Sequence, residues 1–104
     1  MMYIGASKVL FRANYIRSLK EKRSLVSKMK TRARKIHHVS CAEVSDQDTH
    51  ELIGLGFALV SSDKDLARRI LERITDELLD DFDVVIVHEL LSVDVFEEEE
   101  EHEF

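Results

Sequence analysis

The chain has 104 residues, of which 44 % are hydrophobic and 35 % charged, a composition that excludes a disordered or fibrous protein and predicts one globular domain. Charged residues interrupt every apolar run before it reaches the ~20 residues of a membrane span, and the N-terminus lacks the pattern of a signal peptide, so no membrane association is expected. Cys41 is the only cysteine, which excludes an internal disulfide and favours a reducing, cytoplasmic location.

The net charge of −6 is divided unevenly along the chain. Residues 1–37 hold eleven Lys and Arg against Glu21 alone and carry +10, whereas residues 38–104 hold four Lys and Arg against twenty Asp and Glu and carry −16. Such an asymmetry indicates a partner for one half or attraction between the halves. A basic helix face that is merely solvated is the alternative.

The chain opens with a predicted strand and the strongest helix signal of the sequence. In residues 2–13, successive side chains point to alternate faces, and both faces carry large apolar groups. This pattern predicts a strand at the centre of its sheet. At residues 18–36, Ser18 and Glu21 form the S-x-x-E capping box. The apolar stripe of this basic helix comprises Leu19, Leu25, Val26, Met29, Ala33 and Ile36.

The remaining elements follow from the same two periodicities. We predict strands at 39–44, 51–60 and 84–96, a polar turn at 45–48 and a second helix at 63–81. Gly54 and Gly56 lie inside the third strand, where glycine marks a bulge or a close backbone approach. The domain therefore spans 1–96, and residues 97–104, with six glutamates, predict a disordered acidic tail.

The order β-α-β-β-α-β predicts an α+β, ferredoxin-like sandwich. Right-handed crossovers and a tight hairpin give a four-stranded antiparallel sheet of order 4-1-3-2 with both helices on one face. The other face has no helix to cover its apolar side chains, which favours a homodimer through that face or through a sheet edge. A face kept open for nucleic acid is the alternative. The topology also places the start of the basic helix beside the hairpin at Asp46 and Asp48.

Lys22 is the exception in the basic helix, because it lies at the centre of the apolar stripe. A first-turn lysine can lay its stem on the core and lift its ammonium group to water. The other interpretation is a charge pair with Glu43, Asp46 or Asp48 that locks the hairpin to the helix. The sequence leaves both open.

Two stretches resemble the signatures of a known family. Residues 18–23 read SLKEKR, and residues 39–48 read VSCAEVSDQD, where the family has VSVAEVDDQD; Cys41 and Ser45 depart from that pattern. The resemblance is to the YlxP-like family of uncharacterised small bacterial proteins (domain of unknown function 503). It implies a ferredoxin-like fold and no established activity. The family's genes often lie beside those of translation and ribosome-maturation factors, which suggests a ribosomal or RNA partner.

The sequence offers no catalytic, metal or cofactor site. His37, His38, Cys41 and His50 are near one another, but no pair has a zinc-type spacing. On a strand, Cys41 is better interpreted as a small hydrophobe than as a nucleophile. No glycine-rich loop enters a helix, and no carboxylate pair is singled out by its spacing. We therefore expect a protein that is not an enzyme and has no cofactor.

Three classes of function remain. The first is an RNA- or ribosome-binding accessory protein that meets phosphates by charge through Arg17, Lys20, Arg23, Lys28, Arg34 and Lys35. The basic helix has no aromatic residue on which a base could stack. The second is a homo-oligomeric protein-interaction or small-ligand-sensing module that uses the open sheet face. The third is an enzyme or ligand sensor at the end where the two signatures meet.

Overall fold

The computed structural model describes residues 1–97 and contains all six predicted elements, each bound within one residue of its prediction. The acidic tail predicted at 97–104 lies, beyond Glu97, outside the described residues. The elements are β1 (Met2–Arg12), α1 (Leu19–His37), β2 (Ser40–Ser45), β3 (Leu52–Ser61), α2 (Lys64–Asp81) and β4 (Val85–Phe96). No helix in this part of the chain is long and apolar enough to cross a membrane.

The four strands form one antiparallel sheet in the order β2-β3-β1-β4. Read from the other edge, this is the predicted order 4-1-3-2, so the α+β ferredoxin-like topology is confirmed. β1 lies between β3 and β4, which explains the large apolar groups on both of its faces. β2 and β4 are the two edge strands.

The core lies between one face of the sheet and the two helices. In β1, Val9 and Phe11 are fully buried, as are their register partners Leu55 and Ile53 in β3. They pack with the buried side chains of both helices (Leu25, Val26, Met29, Ala33, Ala67, Leu71, Ile74 and Leu78). Because odd-numbered residues of β1 and β3 supply this core, both helices cover the same face.

Within residues 1–97, the other face of the sheet has no helix over it, as predicted; we call it the open face. Its even-numbered β1 and β3 residues include Ile4 and its register partner Val60, which is 65 % exposed. From β4, Leu90 and Phe96 are exposed on the same face, opposite Lys8 and Met2 of β1. The sheet therefore presents large apolar side chains outward.

Both helices begin at side-chain caps. Ser18 Oγ accepts a hydrogen bond from the Glu21 N–H at 3.1 Å, and the Glu21 carboxylate accepts from the N–H of Arg17, one residue before the position that a capping box uses. The carboxylate of Asp63 caps α2. The predicted stripe is wrong at Ile36, which is 37 % exposed because the last turn of α1 is only partly covered.

Candidate functional site

The end of the molecule where the two signature stretches meet is organised around Lys22. Its side chain is only 2 % exposed, so its ammonium group does not reach water. Nζ donates to the carbonyl oxygens of Thr49, at 2.7 Å, and of Asp46, and lies 3.1 Å from Oε2 of Glu43. Two of the three N–H donors of the ammonium group are taken by the carbonyls, and Glu43 Oε2 contributes a salt bridge that lacks hydrogen-bond geometry. Lys22 therefore fastens α1 to the hairpin between β2 and β3.

The members of the predicted charge group play different parts in this contact. Glu43, 23 % exposed on its side chain, makes the salt bridge. Asp46 contributes its backbone carbonyl rather than its carboxylate. Asp48 is exposed and forms no hydrogen bond or salt bridge within residues 1–97. Thr49, which sequence reasoning missed, supplies the third oxygen through its backbone.

The hairpin has an irregular shape that turns these carbonyls toward α1. The register with β3 shifts between Glu43 and Ser45, which leaves Val44 as the extra residue of a β-bulge. Asp46 follows in the left-handed region at φ 57°, a conformation that aspartate tolerates better than most residues. The Asp46 carbonyl also accepts from the N–H of Thr49 at 3.1 Å. The second signature thus encodes the shape of a turn.

Gly54 fits the same bulge from the neighbouring strand. It is the register partner of Ser45, and a Cβ built on it would lie 1.9 Å from Ser45 Oγ and 3.1 Å from the Ser45 carbonyl oxygen. Any side chain at position 54 would push β2 away from β3. The close backbone approach predicted from the glycine is therefore present.

The six residues predicted to meet nucleic acid all lie on the surface, and five of them belong to α1. We call the set the basic surface: Arg17, Lys20, Arg23, Lys28, Arg34 and Lys35, all exposed. At 100° per residue, the line opposite Lys22 carries the exposed hydroxyl residues Ser24, Ser27 and Thr31. Lys20 lies on that line, Arg23 and Arg34 lie on one side of it, and Lys28 and Lys35 lie on the other. The helix thus presents its cations across its whole exposed face, with small hydroxyl side chains between them.

In the C-terminal half of α1, two arginine side chains bind other parts of the same chain. Arg34 donates from Nη2 to the Cys41 carbonyl on β2. Arg32 Nε lies 2.5 Å from Asp81 Oδ2 at the end of α2. Apart from Arg34, no member of the basic surface forms a side-chain hydrogen bond or a salt bridge in the described part of the chain. Their charges remain available to a partner.

Two titratable groups, Cys41 and Tyr15, have pKa values raised by burial. Burial raises the pKa of the Cys41 thiol, and the nearby Arg34 and Lys30 oppose that shift only in part. Burial also raises the pKa of Tyr15, with a smaller contribution from the carboxylate of Asp83. A raised thiol pKa leaves less thiolate, the reactive form of cysteine, at neutral pH.

The four residues considered for a metal site do not come together. His37 Nε2 lies 2.8 Å from Glu77 Oε2 on α2, His38 caps α1 in the left-handed region, and His50 lies in the hairpin. Cys41 is buried on β2. Within residues 1–97, no three His, Cys, Asp or Glu side chains converge as a metal ion would require.

The open face holds a shallow depression that the sequence pattern did not reveal. It measures about 770 Å³, and its floor consists of small residues, including Ala6, Ala42, Gly56 and Ala58, beside Lys8. Gly56 has no side chain, and a Cβ there would lie 3.0 Å from Val44. The one sequence feature that relates to this depression is the spacing of alanine and glycine along the strands.

The family model described as "Protein of unknown function (DUF503)" matches residues 4–90, which confirms the family resemblance of the two signature stretches. No curated protein matches the chain significantly. Among solved structures, the de novo designed protein Foldit4 is similar, at 12 % identity and a TM-score of 0.51, over 93 % of this chain and 100 % of that one. At such an identity the likeness concerns the fold alone.

Two further solved structures are more distant. The de novo designed protein LFR1 1 with ferredoxin fold is 12 % identical with a TM-score of 0.45, covering 100 % of this chain and 93 % of that one. A mutant of SnoaB, a cofactor-independent oxygenase from Streptomyces nogalater, is 10 % identical with a TM-score of 0.43, covering 93 % of this chain and 94 % of that one. Neither likeness bears on function.

Proposed function

This chain belongs to the family described as Protein of unknown function (DUF503), and from its surfaces we propose that it is a non-enzymatic, cytoplasmic accessory protein that binds RNA or the ribosome through α1. The observation that carries this proposal is the basic surface, a set of exposed cations concentrated on one helix of a chain with net charge −6. Clustered Lys and Arg on one helix face are the electrostatic footprint of a nucleic-acid-binding protein.

The manner of binding follows from the side chains that α1 presents. Lysine and arginine contact phosphates by charge, which positions a protein on a nucleic acid without reading its sequence. Because α1 carries no Phe, Tyr or Trp, and its His37 is paired with Glu77, it offers no free platform on which single-stranded bases could stack. From Lys20 to Lys35 the helix is about 22 Å long at 1.5 Å per residue, enough to follow several phosphates of a structured RNA. We therefore propose backbone recognition of folded RNA.

Lys22 serves this function indirectly, as a positioning residue. It holds the first half of α1 against the hairpin on its buried side, so the exposed cations stand on a fixed helix. A surface that is fixed before binding loses less conformational entropy when its partner arrives. The acidic remainder of the chain repels phosphate and orients the approach toward α1.

Co-sedimentation of the full chain with purified ribosomal particles tests the proposal. We expect pelleting at low salt that fades as salt rises, and loss of pelleting in the Lys20→Glu/Lys28→Glu variant. The matched control is Arg69→Glu/Arg73→Glu, which changes net charge equally on exposed positions of α2. Equal loss of pelleting in both variants, or pelleting that does not change with salt concentration, would contradict a specific role of α1.

The open face supports a second candidate function, a homo-oligomeric protein-interaction or small-ligand-sensing module. The favouring observations are its exposed apolar side chains, Ile4, Val60, Leu90 and Phe96, and the depression floored by small residues on the same face. Apolar contacts persist at high salt, whereas phosphate contacts do not. A partner captured from cell extract at high salt, and lost with Val60→Glu but kept with Lys20→Glu/Lys28→Glu, would favour this candidate.

A further inference from the structure

The two edge strands, β2 and β4, differ in how well their outer edges are protected from pairing with another chain. β2 has six residues, a bulge at Val44, and the Arg34 guanidinium bound to the outward carbonyl of Cys41. Short length, a bulge and a covering cation are devices by which proteins prevent an edge strand from pairing with another chain. β4 has twelve residues, and within residues 1–97 no loop or side chain hydrogen-bonds to its outer backbone edge.

The outer surface of β4 carries exposed apolar side chains beside polar ones. Leu90 is 56 % exposed, and Val95 and Phe96 are exposed as well, as are His88, Glu89, Ser92 and Asp94. The single irregularity of β4, at Val87, lies near its start, so the stretch from His88 to Phe96 pairs regularly with β1. A long, regular edge with exposed apolar side chains is a template for the addition of another strand.

The sequence of β4 is complementary to itself in one antiparallel register. Residues directly opposite in an antiparallel pair share a face of the sheet, so a symmetric pairing must be centred on a residue. Centred on Leu91, it places His88 of each copy opposite Asp94 of the other, twice by symmetry. Centring on Leu91 also sets Glu89 beside Val93, an apolar partner. Centring on Glu89 would oppose two carboxylates, and centring on Val93 would oppose Glu89 to Glu97. Centring on Leu90 or Ser92 would set Asp94 against an apolar side chain.

We propose that β4 is a self-association edge, through which two copies of this chain pair antiparallel around Leu91 into one eight-stranded sheet. The two-fold axis of such a pair is perpendicular to the sheet, so both pairs of helices lie on the same side. α2 contacts β1 and β4, whereas α1 contacts β2. The dimer therefore places α2 at the joint and the two basic surfaces at its outer ends. This proposal rests on β4 alone and is independent of RNA binding.

Sedimentation equilibrium of the full chain over a range of concentrations measures the association. We expect a dimer whose dissociation constant rises at least about tenfold in Asp94→Lys, because a lysine cannot accept the hydrogen bond that the His88 imidazole donates to Asp94 in both symmetric pairs. Asp48→Lys, at an exposed position of the hairpin between β2 and β3, is the control with the same charge change and should leave the constant unaltered.

The swapped variant His88→Asp/Asp94→Lys tests the register itself. It sets a carboxylate opposite an ammonium group only if these two positions face each other, so it should return the dissociation constant toward that of the original chain. The proposal is overturned if the full chain is a monomer at all concentrations tested. It is equally overturned if Asp94→Lys and Asp48→Lys behave alike, or if the swap fails to restore association in a variant whose circular dichroism is unchanged.

Discussion

At the scale of single residues, Lys22 is the feature on which the arrangement of the signature end depends. A lysine ammonium removed from water loses several kcal/mol of hydration, which only well-placed oxygens can offset. Two carbonyls and one carboxylate do so here. The Asp46 carbonyl has a second donor, the N–H of Thr49, but within residues 1–97 the Thr49 carbonyl and the Glu43 carboxylate have no other donor. Removal of the lysine leaves these two without a donor.

Lys22→Met should therefore destabilise the fold although it nearly preserves volume. We expect a loss of about 2–4 kcal/mol in the free energy of unfolding, at the lower end for a broken buried pair because Glu43 is partly exposed. Urea unfolding measures it. Lys20→Met, on the exposed side of the same helix turn, is the control and should change stability by less than about 0.5 kcal/mol.

The double variant Lys22→Met/Glu43→Gln separates the charge pair from the two carbonyl contacts. If the salt bridge contributes, Glu43→Gln should cost less in the Lys22→Met background than alone. If Lys22→Met lowers the free energy of unfolding by less than about 1 kcal/mol, the contact is no stronger than a surface pair. That result would refute the interpretation that Lys22 fastens α1 to the hairpin.

Cys41 should be unreactive in the folded protein. Burial raises the pKa of its thiol, so the folded state favours the protonated form, and the resulting stabilisation is lost as pH rises toward the folded-state pKa. We expect labelling by a thiol reagent at pH 7 to be slow in the native chain and fast in urea. Native labelling as fast as that of the unfolded chain would contradict the burial of Cys41.

At the scale of elements, the sequence predicted order, type and bounds well because each element carries its own local signal. Periods of 2 and 3.6 and side-chain caps such as Ser18 and Asp63 act within a few residues. The contacts at the signature end were predicted less completely. Thr49 was missed because it acts through a backbone carbonyl, which every residue possesses and no residue type reveals. The Arg34 contact with Cys41 likewise depends on where α1 crosses the edge of the sheet.

The bulge in β2 gives a prediction at this scale. Gly54→Ala should destabilise the chain by about 1–3 kcal/mol, because the new Cβ meets Ser45 Cβ and carbonyl oxygen even if the hydroxyl rotates away. Ala58→Gly in the same strand is a control that changes the same two residue types without a clash and should cost about 1 kcal/mol or less. Thermal unfolding of both variants decides, and a Gly54→Ala chain as stable as the original would contradict the close approach.

At the scale of the whole molecule, charge is segregated, with the basic surface on α1 and an acidic excess after it. A run of glutamates imitates a phosphate backbone, so we expect residues 97–104 to compete with RNA for α1. Truncation after Phe96 should tighten RNA binding at low ionic strength, and the difference should fade with salt because the competing charges are screened. Fluorescence anisotropy with a labelled RNA measures this. An unchanged affinity at low salt would leave the tail without a competitive role.

The salt dependence of RNA affinity tests the central proposal, α1 as a phosphate-binding surface, most directly. Each phosphate contacted contributes about −0.7 to −0.9 to the slope of log affinity against log salt concentration. The Lys20→Glu/Lys28→Glu variant should therefore bind more weakly and with a slope shallower by about 1 to 2, because two contacts are gone. Arg69→Glu/Arg73→Glu, with the same change in net charge, should keep the slope of the original chain. Identical slopes in the two variants, or no RNA binding by the original chain at low salt, would contradict the account.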